Sequence, residues 1–282
     1  MLTIKEVYNN IYKKLLIQKF LSPQVDTEVI ICKSLNLTKT HIYTYPQEVV
    51  SKKQIELINK NLSHRLKYKP IAYIFNEKEF FGLNFYVDEN VLIPRPETEI
   101  LVEETIKLIN KNKLKSFVDV GTGSGNIVIS IVKNLSFDII SYATDISSKV
   151  LKVAKINAKI HNVFNKINFI LTDKLKYFIE KNIKLDLIVS NPPYVSEEEY
   201  KSLQKEIYYE PKRALVVKKG IEFYEYFATY GRKVLNENGY LILEINSNLV
   251  REICDLFKKF GYKIIKIIND YQNLPRVVVV RI

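Results

Sequence analysis

The chain has 282 residues, 47% of them hydrophobic and 26% charged, and carries a formal net charge of +12. This length suits one large domain, or a main domain with a smaller one attached, and it can bury a sizeable core without metals or disulfides. The composition excludes collagen, coiled coil and wholesale disorder, and no apolar run reaches the roughly 18 residues of a membrane span.

Residues 1–75 read as a small helical bundle. VYNNIYKKLL (7–16) places apolar side chains at helical spacing. Ser22-Pro23 opens a second helix through DTEVIICKSL, with proline in the favoured first turn. Ser51 is the expected N-cap of a third, SKKQIELINKNLSHRLKY. Residues 76–97 change character: alternating aromatic and polar residues around Gly82 and Asn84, read as turn formers, suggest a hairpin linker. It runs into Ile93-Pro94-Arg95-Pro96, where two prolines fix φ and remove N–H donors.

Residues 98–282 alternate helix and strand. Strands are expected at 116–121, 138–145, 167–173, 185–193 and 239–246, then two more, YKIIKIIND and RVVVVRI, joined by a short connection. Continuous apolar strands between amphipathic helices predict an α/β fold: a parallel sheet covered on both faces, ending in an antiparallel hairpin. The start, MLTIKEVYNNIYKK, has no apolar signal core and no Arg-rich transit pattern, so a cytoplasmic location is expected.

The charge admits two readings. A basic face would suit a polyanion or an acidic protein. Alternatively, a chain rich in Lys, Ile, Asn and Tyr, with no Trp and 8 Gly, is how an AT-rich genome writes almost any protein. Two cysteines, Cys32 and Cys254, and three histidines offer no zinc spacing, so no metal is expected and both cysteines read as small buried hydrophobes.

Two segments carry chemistry. VDVGTGSGN (118–126) is a strand, a glycine turn and a helix start. Gly121, Gly123 and Gly125 allow a sharp turn and close approach to a ligand. The pattern is G-x-G-x-G, with Asn126 where the dinucleotide signature has its last glycine. Asp145 ends the next strand, placed to accept from ribose hydroxyls of an adenosine-type cofactor. Asp119, inside the strand, is read as shaping the glycine loop or facing a cationic cofactor, and Asp173 as ending the third strand near an adenine amine.

VSNPPYV (189–195) ends the fourth strand. Pro192-Pro193 stiffens the backbone and strips it of N–H donors. The Asn191 side-chain carbonyl and the Pro192 main-chain carbonyl remain as two acceptors for a planar –NH₂, with Tyr194 able to lie over the group that bears it. Such a site suits a conjugated nitrogen, an amide or the exocyclic amine of a base. Its catalysis rests on orientation and electrostatic preorganisation.

GTGSG, Asp145 and NPPY together resemble the class I S-adenosylmethionine-dependent amino-methyltransferases, whose Rossmann-like sheet has seven strands. KPIAYIFNEKEFFGLNFYVDENVLIPRPETEILVE (69–103), YEPKRAL, GIEFYEYF, NGYLILEI and LPRVVVV narrow the resemblance to the HemK/PrmC family, which methylates glutamine N5 in peptide chain release factors. The resemblance implies S-adenosylmethionine bound by Asp119, Gly121, Thr122, Gly123, Ser124, Gly125, Asp145, Lys174 and Asn191, leaving S-adenosylhomocysteine. Asn191, Pro192 and Tyr194 would be catalytic, and Asn191, Pro192, Pro193 and Tyr194 would hold the glutamine of a Gly-Gly-Gln loop. The N-terminal bundle would help bind the release factor, the enzyme acting as a monomer without direct contact to nucleic acid or membrane. Three positions depart from the family pattern: Lys174 replaces a frequent aromatic, Asn246 a glycine, and Val217-Lys218 a Gly-Gly pair. The competing substrates are an exocyclic amine of rRNA or DNA and a ribosomal-protein glutamine. A degenerate, non-enzymatic scaffold is a further rival.

Overall fold

Helical spacing in the first 75 residues is met by helices. The computed structural model describes Leu2–Ile282 and divides into two units, the smaller running to Asn76 and also taking in Lys205–Tyr209. The smaller unit holds β1 (Leu2–Thr3), α1 (Ile4–Ile17), α2 (Pro23–Leu35), α3 (Lys39–Thr44), β2 (Val49–Val50), α4 (Lys52–Leu66) and α5 (Ile71–Phe75). Ile4, Val7, Ile11 and Leu15 form the buried stripe of α1. Thr3 and Ser51 begin α1 and α4 with capping boxes closed by Glu6 and Gln54. The ladder β1–β2 and helices α3 and α5 are too short to leave a periodic signal in the sequence. Buried Arg65 donates to Asp26 Oδ2 and Glu206 Oε1, each at 2.7 Å, with its guanidinium 4.3 Å from the Phe20 ring centre.

The larger unit begins with the hairpin β3 (Glu77–Phe80) and β4 (Leu83–Tyr86). Its turn is Phe81-Gly82, with φ of 52° and 69°, the twist that suits a two-residue hairpin. Asn84, expected in the turn, instead lies in β4 opposite Glu79. Phe80 and Phe85 reach into the core of this unit.

Next come α6 (Thr98–Asn112), β5 (Ser116–Val120), α7 (Asn126–Asn134), β6 (Ile140–Asp145), α8 (Ser148–Ile160), β7 (Ile167–Leu171), α9 (Lys176–Glu180) and β8 (Leu185–Ser190). The chain continues through β9 (Val195–Ser196), α10 (Glu197–Tyr200), β10 (Val216–Val217), α11 (Glu222–Val234), β11 (Leu235–Glu244), α12 (Val250–Lys259), β12 (Lys263–Asn269) and β13 (Pro275–Arg281). Seven strands form the main sheet in the order β12-β13-β11-β8-β5-β6-β7, parallel except for β13, which is antiparallel to both neighbours. Strand residues alternate between two cores: Phe117, Leu187 and Ile242 on one face, Val118, Ile188 and Leu241 on the other. This is the expected α/β class, a seven-stranded sheet accompanied by an N-terminal helical region. Asp173, expected to end the third strand, lies two residues beyond Leu171, where β7 stops. The parallel ladder β9–β10 was not foreseen, since two-residue strands carry no alternation to read. Among the described residues no helix is long and apolar enough to cross a membrane. Cys254 is buried and Cys32 half-buried, both unpaired.

Candidate active site

Sheet register builds the site. Val120 pairs with Thr144, Asp119 with Val189, and Ser190 with Leu243. Continuing the first and last pairings by one residue and the second by two sets Asp145, Gly121, Asn191 and Glu244 side by side along the carboxyl edge, where open α/β sheets bind ligands. The Ser190 hydroxyl donates to Val120 O at 2.6 Å and holds the ends of β8 and β5 together. A cavity of about 430 Å³ opens at this edge, within the usual range for ligand sites. Gly121, Gly123, Asp145, Asp173, Lys174, Asn191, Pro192 and Pro193 line it, together with Leu92, Ile146, Arg213 and Phe223.

The glycine side is shaped by backbone. Gly121 and Gly123 have φ of 74° and 57°, and a Cβ on either would project into open space, so the loop offers bare peptide to the cavity. Gly125 serves packing instead, because a Cβ there would come 2.9 Å from Ile129 Cδ1 and 3.2 Å from Ala154 Cβ. Thr122 is buried and donates from Oγ1 to Asp119 Oδ2 at 2.7 Å, while Asp119 Oδ1 is buried without a hydrogen-bond partner. Burial pushes the Asp119 carboxyl up to about 7. Ser124 Oγ bonds Asn126 Oδ1, and Thr122 and Ser124 line a smaller hollow that shares Gly121, Gly123 and Asn191 with the main cavity.

Asp145 accepts from Ser147 N at 3.0 Å; burial raises its carboxyl, against the backbone N–H groups of Ser147, Gly123 and Ile146 and the charge of Arg213. Lys174 reaches Asp173 Oδ1 at 2.7 Å, and its ammonium lies 5.2 Å from the Phe223 ring centre and 4.9 Å from that of Tyr226. The aromatic surface at this end is therefore Phe223, on α11, and the lysine braces it.

The other side is held by side chains. Asn191 Nδ2 donates to Thr98 Oγ1 at 3.1 Å, and Thr98 Oγ1 donates to Glu244 Oε2 at 2.7 Å. The Tyr194 hydroxyl donates to Glu244 Oε1 at 3.3 Å, and Tyr194 does not line the main cavity. Burial pushes Glu244, only 1% exposed, up to about 7, opposed by Thr98 and Arg276. Burial and the Glu244 charge also raise the Tyr194 phenol. Upstream, Glu210 is buried and accepts from Arg95 Nη2 and Ile93 N, which pins the proline segment that presents Leu92.

Sequence reasoning missed Thr98, Glu244, Glu210, Arg213 and Phe223. A signal existed for Glu244, a lone acid in the apolar run YLILEI. These residues fit a cationic, adenosine-bearing group: an unpartnered buried Asp119 oxygen, bare glycine peptides, the Asp145 and Asp173 carboxylates, and a Phe223 ring.

The comparisons agree with this architecture. Residues 9–75 match the family model described as the PrmC N-terminal domain, and residues 97–221 match the methyltransferase small domain. A release factor glutamine methyltransferase of Dictyoglomus turgidum is 37% identical over 259 residues, covering 91% of this chain and 90% of its own. One from Fusobacterium nucleatum is 35% identical over 263 residues, covering 92% of this chain and 73% of its own. In fold alone, a solved methyltransferase from Pyrococcus furiosus is similar at a TM-score of 0.50 and 20% identity, covering 79% of this chain and 98% of that one.

Proposed function

The chain belongs to the release factor glutamine methyltransferase family, and from that premise we infer that it methylates the glutamine side-chain amide in the Gly-Gly-Gln loop of peptide chain release factors. S-adenosylmethionine, when bound, supplies an electrophilic methyl group on a sulfonium. Gly121 and Gly123 would give its site bare peptide, Asp145 would accept from ribose hydroxyls, and the buried Asp119 carboxyl, bonded to Thr122, would shape the loop from beneath.

Asn191 and Pro192 hold the substrate nitrogen. An amide nitrogen is a poor nucleophile because its lone pair is delocalised into the carbonyl. Two acceptors, Asn191 Oδ1 and Pro192 O, fix both N–H bonds and favour positive charge as it grows on nitrogen. Orientation of this kind replaces a bimolecular encounter with a bound one. Transfer forms an N–C bond, breaks the S–C bond with its electron pair left on sulfur, and releases one proton from nitrogen. The products are N5-methylglutamine and S-adenosylhomocysteine. Tyr194, bound to Glu244, steadies the loop after the two prolines.

One observation carries this reading: Asn191 spends its NH₂ on Thr98, so its Oδ1 is the acceptor in a cavity it shares with Gly121 and Asp145. The smaller helical unit supplies protein recognition that a single glutamine pocket lacks. Ile17, Leu21 and Val25 are exposed apolar side chains there. The enzyme works as a monomer on protein rather than nucleic acid.

The test is transfer of labelled methyl to purified release factor, ribosomal RNA, DNA and ribosomal protein. Label is expected on release factor alone, at the loop glutamine, and lost with Asn191→Ala. Label on RNA or DNA would overturn the substrate assignment.

A further inference from the structure

Glu244 sits on β11, one strand away from the NPPY segment, and has no place on the cavity wall. Its carboxylate nevertheless ends a chain of hydrogen bonds that begins at Asn191. An ionised carboxylate only accepts hydrogen bonds. The single hydroxyl proton of Thr98 is therefore committed to Glu244 Oε2, at 2.7 Å, and Thr98 Oγ1 can only accept from Asn191. That forces the Asn191 amide to turn its NH₂ toward Thr98, at 3.1 Å, and to keep its oxygen for the substrate. Nothing on Asn191 itself dictates this choice, because the two ends of an amide have nearly the same shape.

We propose that Glu244 is a positioning residue that fixes the direction of this chain through Thr98, so that Asn191 presents an acceptor and not a donor to the substrate –NH₂. The inference rests on the substrate reading above and deepens it. Protonated Glu244 could donate to Thr98, Thr98 could then donate to Asn191 Oδ1, and the flipped amide would offer NH₂ to NH₂. The groups facing Glu244 are Thr98 and Glu97 at the start of α6, Tyr194 after β8, Arg276 on β13 and the Tyr224 hydroxyl of α11, which donates to Glu244 O at 3.1 Å. Arg276 is committed to Asp270 at 2.9 Å and favours the ionised form of Glu244 without bonding to it. Burial against these partners leaves Glu244 titrating near neutrality, at about 7, so the acceptor state fills as pH rises through that value.

The experiment uses the full chain and measures kcat and KM for a release factor between pH 5.5 and 9, with S-adenosylhomocysteine affinity by calorimetry. Glu244→Gln, whose amide can donate to Thr98, is expected to lower kcat about 30-fold at pH 8 and to lose the rise near pH 7. That loss is below the roughly 10²–10³-fold cost of removing a transition-state hydrogen bond outright, because the Asn191 amide is still present and part of the population keeps its direction. Affinity for S-adenosylhomocysteine should stay within about twofold, since Glu244 lines neither hollow at the glycine loop. Thr98→Val should reproduce the loss and Thr98→Ser should restore most of it. A Glu244→Gln enzyme with wild-type kcat and the same rise near pH 7 overturns the proposal. If that variant does not fold, equal rates for Thr98→Val and Thr98→Ser overturn it.

A substrate-free readout separates this inference from the function it rests on. The Asn191 side-chain ¹⁵N resonance, assigned through Asn191→Ala, should shift with an apparent pKa near 7 in wild type and stay flat in Glu244→Gln. A flat wild-type titration overturns the proposal. Absent transfer to release factor with an intact titration overturns only the substrate assignment.

Discussion

The glycine loop and the NPPY segment lie next to each other on one sheet edge and are built in opposite ways. Gly121 and Gly123 work by what they lack, with positive φ and no Cβ, so the methyl-donor side is a matter of backbone shape. Asn191 and Tyr194 are aimed by side chains that converge on one buried carboxylate, so the acceptor side is a matter of polarity and proton occupancy. Damage to the first side should appear in cofactor affinity and damage to the second in turnover and pH dependence.

The largest effect should come from Asn191→Ala, which removes the acceptor itself. Transfer should fall by about 10²–10³-fold, the scale of losing one preorganised transition-state hydrogen bond. Calorimetry should find S-adenosylhomocysteine binding within about threefold of wild type, and a comparable loss of binding would erase the division between the two sides. Gly121→Ala tests the other half. A non-glycine residue at φ 74° is strained by about 1–2 kcal/mol. Affinity for S-adenosylhomocysteine should therefore weaken by roughly tenfold, with kcat at saturation little changed.

A subtler effect is the pH dependence of stability. Burial raises Glu244 to about 7 in the folded chain, above its ordinary 4.5, so the folded state holds this proton more tightly than the unfolded state does. The contribution is full below the unfolded value and lost as pH rises through about 7. Thermal melts should show Tm of wild type falling more steeply between pH 5 and 8 than Tm of Glu244→Gln. Equal slopes would mean that Glu244 does not titrate there. The smallest effect should be Lys174→Ala. Lys174 lines the cavity, but with its ammonium held by Asp173 and two rings it spends its charge on bracing the wall. Affinity for S-adenosylhomocysteine should move by less than about threefold; a tenfold loss would make the lysine a direct contact.

The same contrast governs what could be read from sequence. Glycine turns, prolines and apolar strands act on neighbouring backbone, so GTGSG, NPPY and the seven strands were visible in linear order. Thr98 and Glu244 were not, because they act across 93 and 146 residues of chain and only the register of β8 and β11, with the start of α6 packed against β11, brings them together. Asn84 was misread for a related reason. Its residue type favours turns, but the Phe81-Gly82 turn fixed the register and drew Asn84 into a strand. Lys174 drew notice as a departure from an aromatic, while the ring on that wall, Phe223, lies 49 positions further on.

The Arg65 clasp has a bearing on how the protein can be dissected. Because Glu206 and Tyr209 are anchored to Arg65 and Lys67, the smaller unit is assembled from two separated stretches of chain. It is no cassette: cutting at residue 76 would orphan the later stretch, and a hybrid carrying a relative's helices would need that relative's 205–209 loop as well.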